Sequence, residues 1–207
     1  ESYTVTVAEG ETTAVVTLDN GDKVTITPAS SAQITHVSET TVDNAYTAVV
    51  DHEDQYKTVT REVGTLSVTP ATLTVTTETG SKQYDGTPLT KPGEVTGYKN
   101  GETADFTVTG TITEVGGPVT NKYTLVFADQ EGASDTATAI STDYTISESL
   151  GTLTITQNET ELKIVSSTQT FEYNGLAQHE YKYTVTFGDE SYTVTVAEGE
   201  TTAVVTL

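Results

Sequence analysis

Residues 1–18, ESYTVTVAEGETTAVVTL, recur letter for letter as residues 190–207. Eighteen identical positions in succession mean translation along a repeating sequence, and a repeat has to be read first because each period is one structural unit. The two copies start 189 positions apart, in a chain of 207 residues. The chain is therefore expected to be one full period plus an overlap of eighteen, a window on a longer periodic sequence that need not open at a module boundary.

Within the period, Thr alternates with Val, Ile, Leu or Tyr in SYTVTV (2–7), KVTIT (23–27), TLSVT (65–69), TLTVT (72–76), DFTVTGTIT (105–113), DYTIS (143–147), TLTIT (152–156), ELKIV (161–165) and YKYTVTF (181–187). Period-two alternation in β-branched residues predicts strands with one buried face. Glu9-Gly10, Asn20-Gly21, Asp85-Gly86, Asn100-Gly101 and Asn174-Gly175 break these runs, and such pairs reach positive φ readily, so hairpins are expected, with a type I′ turn at Asp19–Asp22. No segment of helical length carries a 3.6-residue period. The chain reads as all-β, and its 34% hydrophobic content suits thin sandwich cores.

A weaker repeat lies inside the long one. NGETADFTVTGTITEVGGPVTNKYTLVF (100–127) parallels NGDKVTITPASSAQITHVSETTVDNAYTAVV (20–50), both closing on Asn-x-Tyr-Thr. EVGTLSVTPATL (62–73) parallels ESLGTLTITQNETEL (148–162), and KQYDGTPLT (82–90) parallels FEYNGLAQH (171–179). The period thus holds two related modules. One is complete at 71–157. The other is cut: 1–70 is its C-terminal part, and 158–207 is the N-terminal part of its next copy.

Tyr84-Asp85-Gly86-Thr87, the Thr-x-Val-Gly of 113–116, the Asn-x-Tyr of 121–123, Asp143-Tyr144-Thr145-Ile146 and the Gly-Thr-Leu-Thr-Ile of 151–155 resemble the YDG or MBG-type repeats of bacterial surface proteins and adhesins. The resemblance spans 71–157 and, more loosely, the cut module, where Tyr173-Asn174-Gly175 replaces Tyr-Asp-Gly. It implies tandem small Ig-like or grasp-like β-sandwich modules, arranged end to end as a rod on an extracellular stalk at the cell surface or cell wall. It brings no catalytic residues.

Asp and Glu total 30 against 9 Lys and Arg, a formal net charge of −21. Nucleic acid and anionic membrane are poor partners for such a surface, since both are bound through basic patches. No apolar run is long enough for membrane insertion. The acidity reads as solubility and mutual repulsion, or as cation binding. Asp51, Glu53 and Asp54, around His52, form an oxygen-rich loop of the kind Ca²⁺ takes. His36, His52 and His179 stand without a catalytic motif around them. Lys163, with Asn44 or Asn121, is the pairing to weigh for an isopeptide cross-link, but Lys163 alternates outward between Leu162 and Ile164.

The expected function is a non-enzymatic spacer, a repeat of a bacterial stalk or fibre that holds an adhesive domain from the surface. The alternative is a Ca²⁺-dependent module for a glycan or other surface ligand. The expected partners are further copies of the repeat, head to tail, with any host ligand lying outside this segment. The duplicated residues then form one assembly hairpin seen from both sides of the cut: Tyr3, Val5, Val7, Val16 and Leu18 in one copy, Tyr192, Val194, Val196, Val205 and Leu207 in the other. Separate chains docking head to tail would bring two copies where one is needed, leaving one displaced.

Overall fold

The computed structural model describes residues 2–207, Glu1 lying outside the described residues. All regular structure beyond three single turns of 3₁₀ helix is β. The N-terminal part carries β1 (Ala14–Thr17), β2 (Lys23–Pro28), β3 (Val42–Asn44), β4 (Tyr46–Val50) and β5 (Gly64–Leu66). The sheets are β1-β2-β4 and β3-β5. The central part carries β6 (Ala71–Thr77), β7 (Gly80–Gln83), β8 (Gly93–Thr96), β9 (Asp105–Val108), β10 (Gly116–Thr120), β11 (Tyr123–Val126), β12 (Tyr144–Ser149) and β13 (Thr152–Thr156). They pair as β12-β6-β8, β10-β13-β7 and β11-β9. The C-terminal part is one sheet of β14 (Leu162–Ser166), β15 (Lys182–Phe187) and β16 (Glu190–Thr195). No sheet joins strands of 2–70 to strands of 158–207.

Hairpins alone do not describe this architecture. β6 and β12 pair in parallel, and so do β7 and β13. Two chain segments, 71–83 and 144–156, therefore run side by side, each passing from one sheet into the other at 78–79 and 150–151. Gly151 makes the crossing possible: a Cβ there would stand 2.2 Å from the backbone carbon of Glu78. On either side of the crossing lie the clusters of buried side chains, Leu73, Phe127, Ala139 and Tyr144 on one, Leu89, Leu153 and Ile155 on the other. Asn121 is fully buried at the seam and donates from Nδ2 to the carbonyls of Glu78 (3.0 Å) and Lys91 (3.1 Å).

Most glycine pairs turn the chain without closing a hairpin. Asn20-Gly21 does close one, between β1 and β2, but as a type I turn with Gly21 alone at positive φ (90°). A three-residue loop of that kind fits the strand twist as a type I′ turn does. Asp85-Gly86 and Asn100-Gly101 turn between strands that do not pair with each other. The SYTVTV run at 2–7 is not a strand, and of TLSVT (65–69) only 65–66 belong to one. Alternation prepares an extended segment, but a ladder needs a neighbour to accept its hydrogen bonds.

The N-terminal part meets the central part where the two long segments start. There Asp143 takes the Val37 N–H on Oδ1 (2.8 Å) and faces His36 Nδ1 with Oδ2 (2.5 Å). The Asp143 hydrogen bond raises the His36 pKa above its ordinary 6.5, with Glu39 and Glu102 adding charge in the same direction. A raised pKa means the contact contributes fully below about pH 6.5 and is lost as pH rises through the folded-state value. Amide exchange at Val37 is expected to be slower at pH 5.5 than at pH 8, after correction for intrinsic rates, and Asp143→Asn should remove the difference. The C-terminal part meets the opposite ends of the same segments, where Asn158 Nδ2 donates to the Tyr84 carbonyl (3.0 Å).

Candidate assembly interface

The flanking parts repeat the central one in fragments. β3 pairs β5 as Val42↔Leu66, Asp43↔Thr65, Asn44↔Gly64. β10 pairs β13 as Val119↔Leu153, Thr120↔Thr152, with Asn121 N–H on the Gly151 carbonyl. These are the same residues of the Asn-x-Tyr-Thr and Gly-Thr-Leu motifs in the same register. β2 with β4 (Thr27↔Thr47) likewise matches β9 with β11 (Thr107↔Thr124). In the C-terminal part, β14 with β15 (Ile164↔Val185) matches β6 with β8 (Val75↔Val95). Residues 2–70 thus hold counterparts of β9, β10, β11 and β13, and 158–207 hold those of β6 and β8.

Missing halves leave open faces. Leu73 and Val75 are 0% exposed in β6, whereas their counterparts Leu162 and Ile164 in β14 are 51% and 67% exposed. The expectation that Leu162 and Ile164 point away from solvent is corrected here: they share a face with Val185, but little covers it. Asn121 is fully buried, whereas Asn44 is exposed. Gly151 is wedged against Glu78, whereas Gly64 has nothing within 4 Å of an added Cβ. Residues 57–62 (KTVTRE), aligned without a gap to β12, form no strand. In each case the residue of the central part is covered by a neighbouring strand that its counterpart in the flanking parts lacks.

The duplicated residues divide between these faces. In the first copy the second arm is a strand, β1, with Val16 opposite Val24 and Leu18 in the turn. The first arm, with Tyr3, Val5 and Val7, is not a strand; Tyr3 donates its hydroxyl to Asp19 (2.6 Å). In the second copy the roles reverse. The first arm is a strand, β16, with Tyr192 opposite Val185 and Val194 opposite Tyr183. Its second arm is not a strand, and Val205 with Val196 lines one side of a groove of about 510 Å³ whose other side is Ile164, Tyr183, Val185 and Val194. Leu207 rests near Tyr84, Asp85 and Phe187. One sequence therefore takes two conformations, set by which arm finds a neighbouring strand, as expected where a two-stranded hairpin alone is marginal.

The Ca²⁺ candidates do not converge. Glu53 receives both guanidinium nitrogens of Arg61 (2.9 and 2.8 Å), Asp51 takes the Lys23 N–H (3.2 Å), and Asp54 takes the Gln55 amide (2.8 Å). Among the described residues no group of three acidic, His or Cys side chains is placed to hold a metal. The left-handed backbone at His52 (φ 51°) aims the imidazole away from that loop and onto Asp22 (2.9 Å). Asp22 also accepts from Tyr56 (2.7 Å) and Asn20 (3.0 Å), which with His52 hold its pKa below the ordinary value. The cluster ties the β1–β2 turn to the loop after β4. Asn121 gives its amide to backbone carbonyls, so its nitrogen is engaged, and Lys163 sits exposed on the sheet.

Sequence reading did not single out Asn44 and Gly64 as counterparts of the buried Asn121 and the wedged Gly151, although the signal was present in the motifs they share. No protein family, curated protein or solved structure matches the chain. Among the described residues no helix is long and apolar enough to cross a membrane.

Proposed function

We propose that this chain is a non-enzymatic structural repeat of an extracellular stalk or fibre, spacing an adhesive domain from a bacterial surface, with copies joined head to tail. The observation that carries this reading is the placement of the two fragments. They contact opposite ends of the paired segments 71–83 and 144–156, so each added copy lengthens the array along those strands. Thirteen residues at about 3.3 Å each give a central part on the order of 40 Å long. A completed second module of similar size makes the advance roughly 80 Å per 189-residue period. Tandem Ig-like or grasp-like modules with short junctions, Thr69-Pro70-Ala71 among them, favour stiffness in such an array.

Small-angle scattering on polypeptides of two and three periods tests the reading. The maximum dimension is expected to grow by roughly 80 Å per period. A dimension that grows only as the cube root of mass, as for a globule, would contradict it.

A further inference from the structure

We infer that residues 2–70 of one copy dock onto residues 158–207 of a second copy, each supplying the strands the other lacks, in the registers already present in the 71–157 body. The inference rests on the head-to-tail reading above and names the surface through which copies join.

The central part supplies the template. In it Leu73 pairs with Ile146 and Thr74 with Ser147, in parallel. The sequence correspondences transfer these pairs to Leu162 with Val59 and Lys163 with Thr60, across two copies. Residues 57–62 then become the strand they fail to form within one chain. Thr77 Oγ1, which in the central part donates to the Asn121 carbonyl (2.8 Å) and accepts the Gly151 N–H (3.0 Å), corresponds to Ser166, which keeps the hydroxyl. Ser167 corresponds to Glu78, so its carbonyl becomes an acceptor for the exposed Asn44 amide. Gly64, with open space now, comes to lie against that backbone as Gly151 lies against Glu78. A half-built seam is thereby closed at every position where the two fragments differ from the central part.

The duplicated hairpin becomes composite: its first arm is β16 of one copy and its second arm is β1 of the next. The redundant arms, 2–7 and 201–207, are the ones that form no strand in the structure. Residues 201–205 form one wall of the groove against Ile164 and Val185, the face the incoming fragment would cover, so docking displaces them. Such an interface is heterologous and open-ended, propagating as a linear array. Both surfaces are acidic, with 11 Asp and Glu against three Lys and Arg in 1–70, and eight against two in 158–207. Raising salt is therefore expected to tighten association rather than loosen it.

The absence of cysteine allows a direct test. Chains carrying Thr60→Cys are mixed with chains carrying Lys163→Cys under a mild thiol–disulfide buffer, and separately with chains carrying Val165→Cys, two residues out of register. The 60–163 pair is expected to form a disulfide dimer at least tenfold faster. Adding Gly64→Ala to the Thr60→Cys chain should abolish the cross-link while leaving amide protection across β3 and β5 unchanged. Equal rates for the two pairs, or a rate indifferent to Gly64→Ala, would overturn the docking. Scattering separates the two readings: cross-linked chains that form closed compact particles would defeat the stalk and keep the docking. Elongated polypeptides of several periods with no register-specific cross-link would do the reverse.

Discussion

Asn121→Ala is expected to lower the stability of the 71–157 body by about 3 kcal/mol, because each part-buried carbonyl stripped of its donor costs up to roughly 1–3 kcal/mol and the emptied side-chain volume adds to that. The Glu78 and Lys91 carbonyls both lose their partner, and a fully buried side chain leaves a void between two sheets. With a urea slope of about 2 kcal/mol per molar, the midpoint of the central transition should fall by roughly 1.5 M. Asn44→Ala, in the same Asn-x-Tyr-Thr motif, is expected to move the isolated chain by less than about 0.5 kcal/mol, as an exposed substitution does. The pair of measurements uses one residue type in one register, so the difference reports the burial and the two hydrogen bonds that Asn121 has at the seam.

Gly151→Ala is expected to be as damaging, by a different route. The added Cβ would meet the Glu78 carbon at 2.2 Å and its oxygen at 2.4 Å, and backbone cannot rotate away as a side chain can. Relief requires the two long segments to separate at their crossing, which strains the Gly151 N–H bond to Thr77 and the Asn121 N–H bond to Gly151. Overpacking of this kind costs typically 1–3 kcal/mol, and more where hydrogen bonds go with it. Thermal unfolding should show the central body melting earlier, with Gly64→Ala indistinguishable from the parent chain at concentrations where copies stay apart. An equal loss for both glycines would mean that Gly64 already has the neighbour that the structure denies it.

These paired residues also show what could be read without coordinates. Strict alternation in TLTVT and TLTIT announced β6 and β13, because a strand buried on one face must alternate, and both are strands. The parallel pairing of β6 with β12 was not legible, since alternation is silent about which strand lies alongside and the turn dipeptides pointed to hairpins. SYTVTV alternates as well as any run in the chain, yet it is a strand at 190–195 and not at 2–7. The deciding factor is a partner strand: β15 lies beside 190–195, and among the described residues no strand lies beside 2–7, a difference the alternation itself does not carry. The acidic loop at 51–54 misled for a related reason: residue types suited Ca²⁺, but Arg61, Lys23 and Gln55 had already taken the oxygens. The motif repeats did mark Asn44 and Gly64 as counterparts of Asn121 and Gly151, once those two were seen at the seam.

The central claim is that the eighteen duplicated residues form one hairpin of a module completed between successive copies. Amide hydrogen exchange on a single polypeptide of two periods tests it most directly, because that chain holds the eighteen residues once internally and once at each end. The internal copy is expected to be protected on both arms, at Tyr192 and Val194 and also at the positions corresponding to Ala14 and Val16, while the terminal copies remain protected on one arm each. An internal copy protected on one arm only, like those at the ends, would contradict the account.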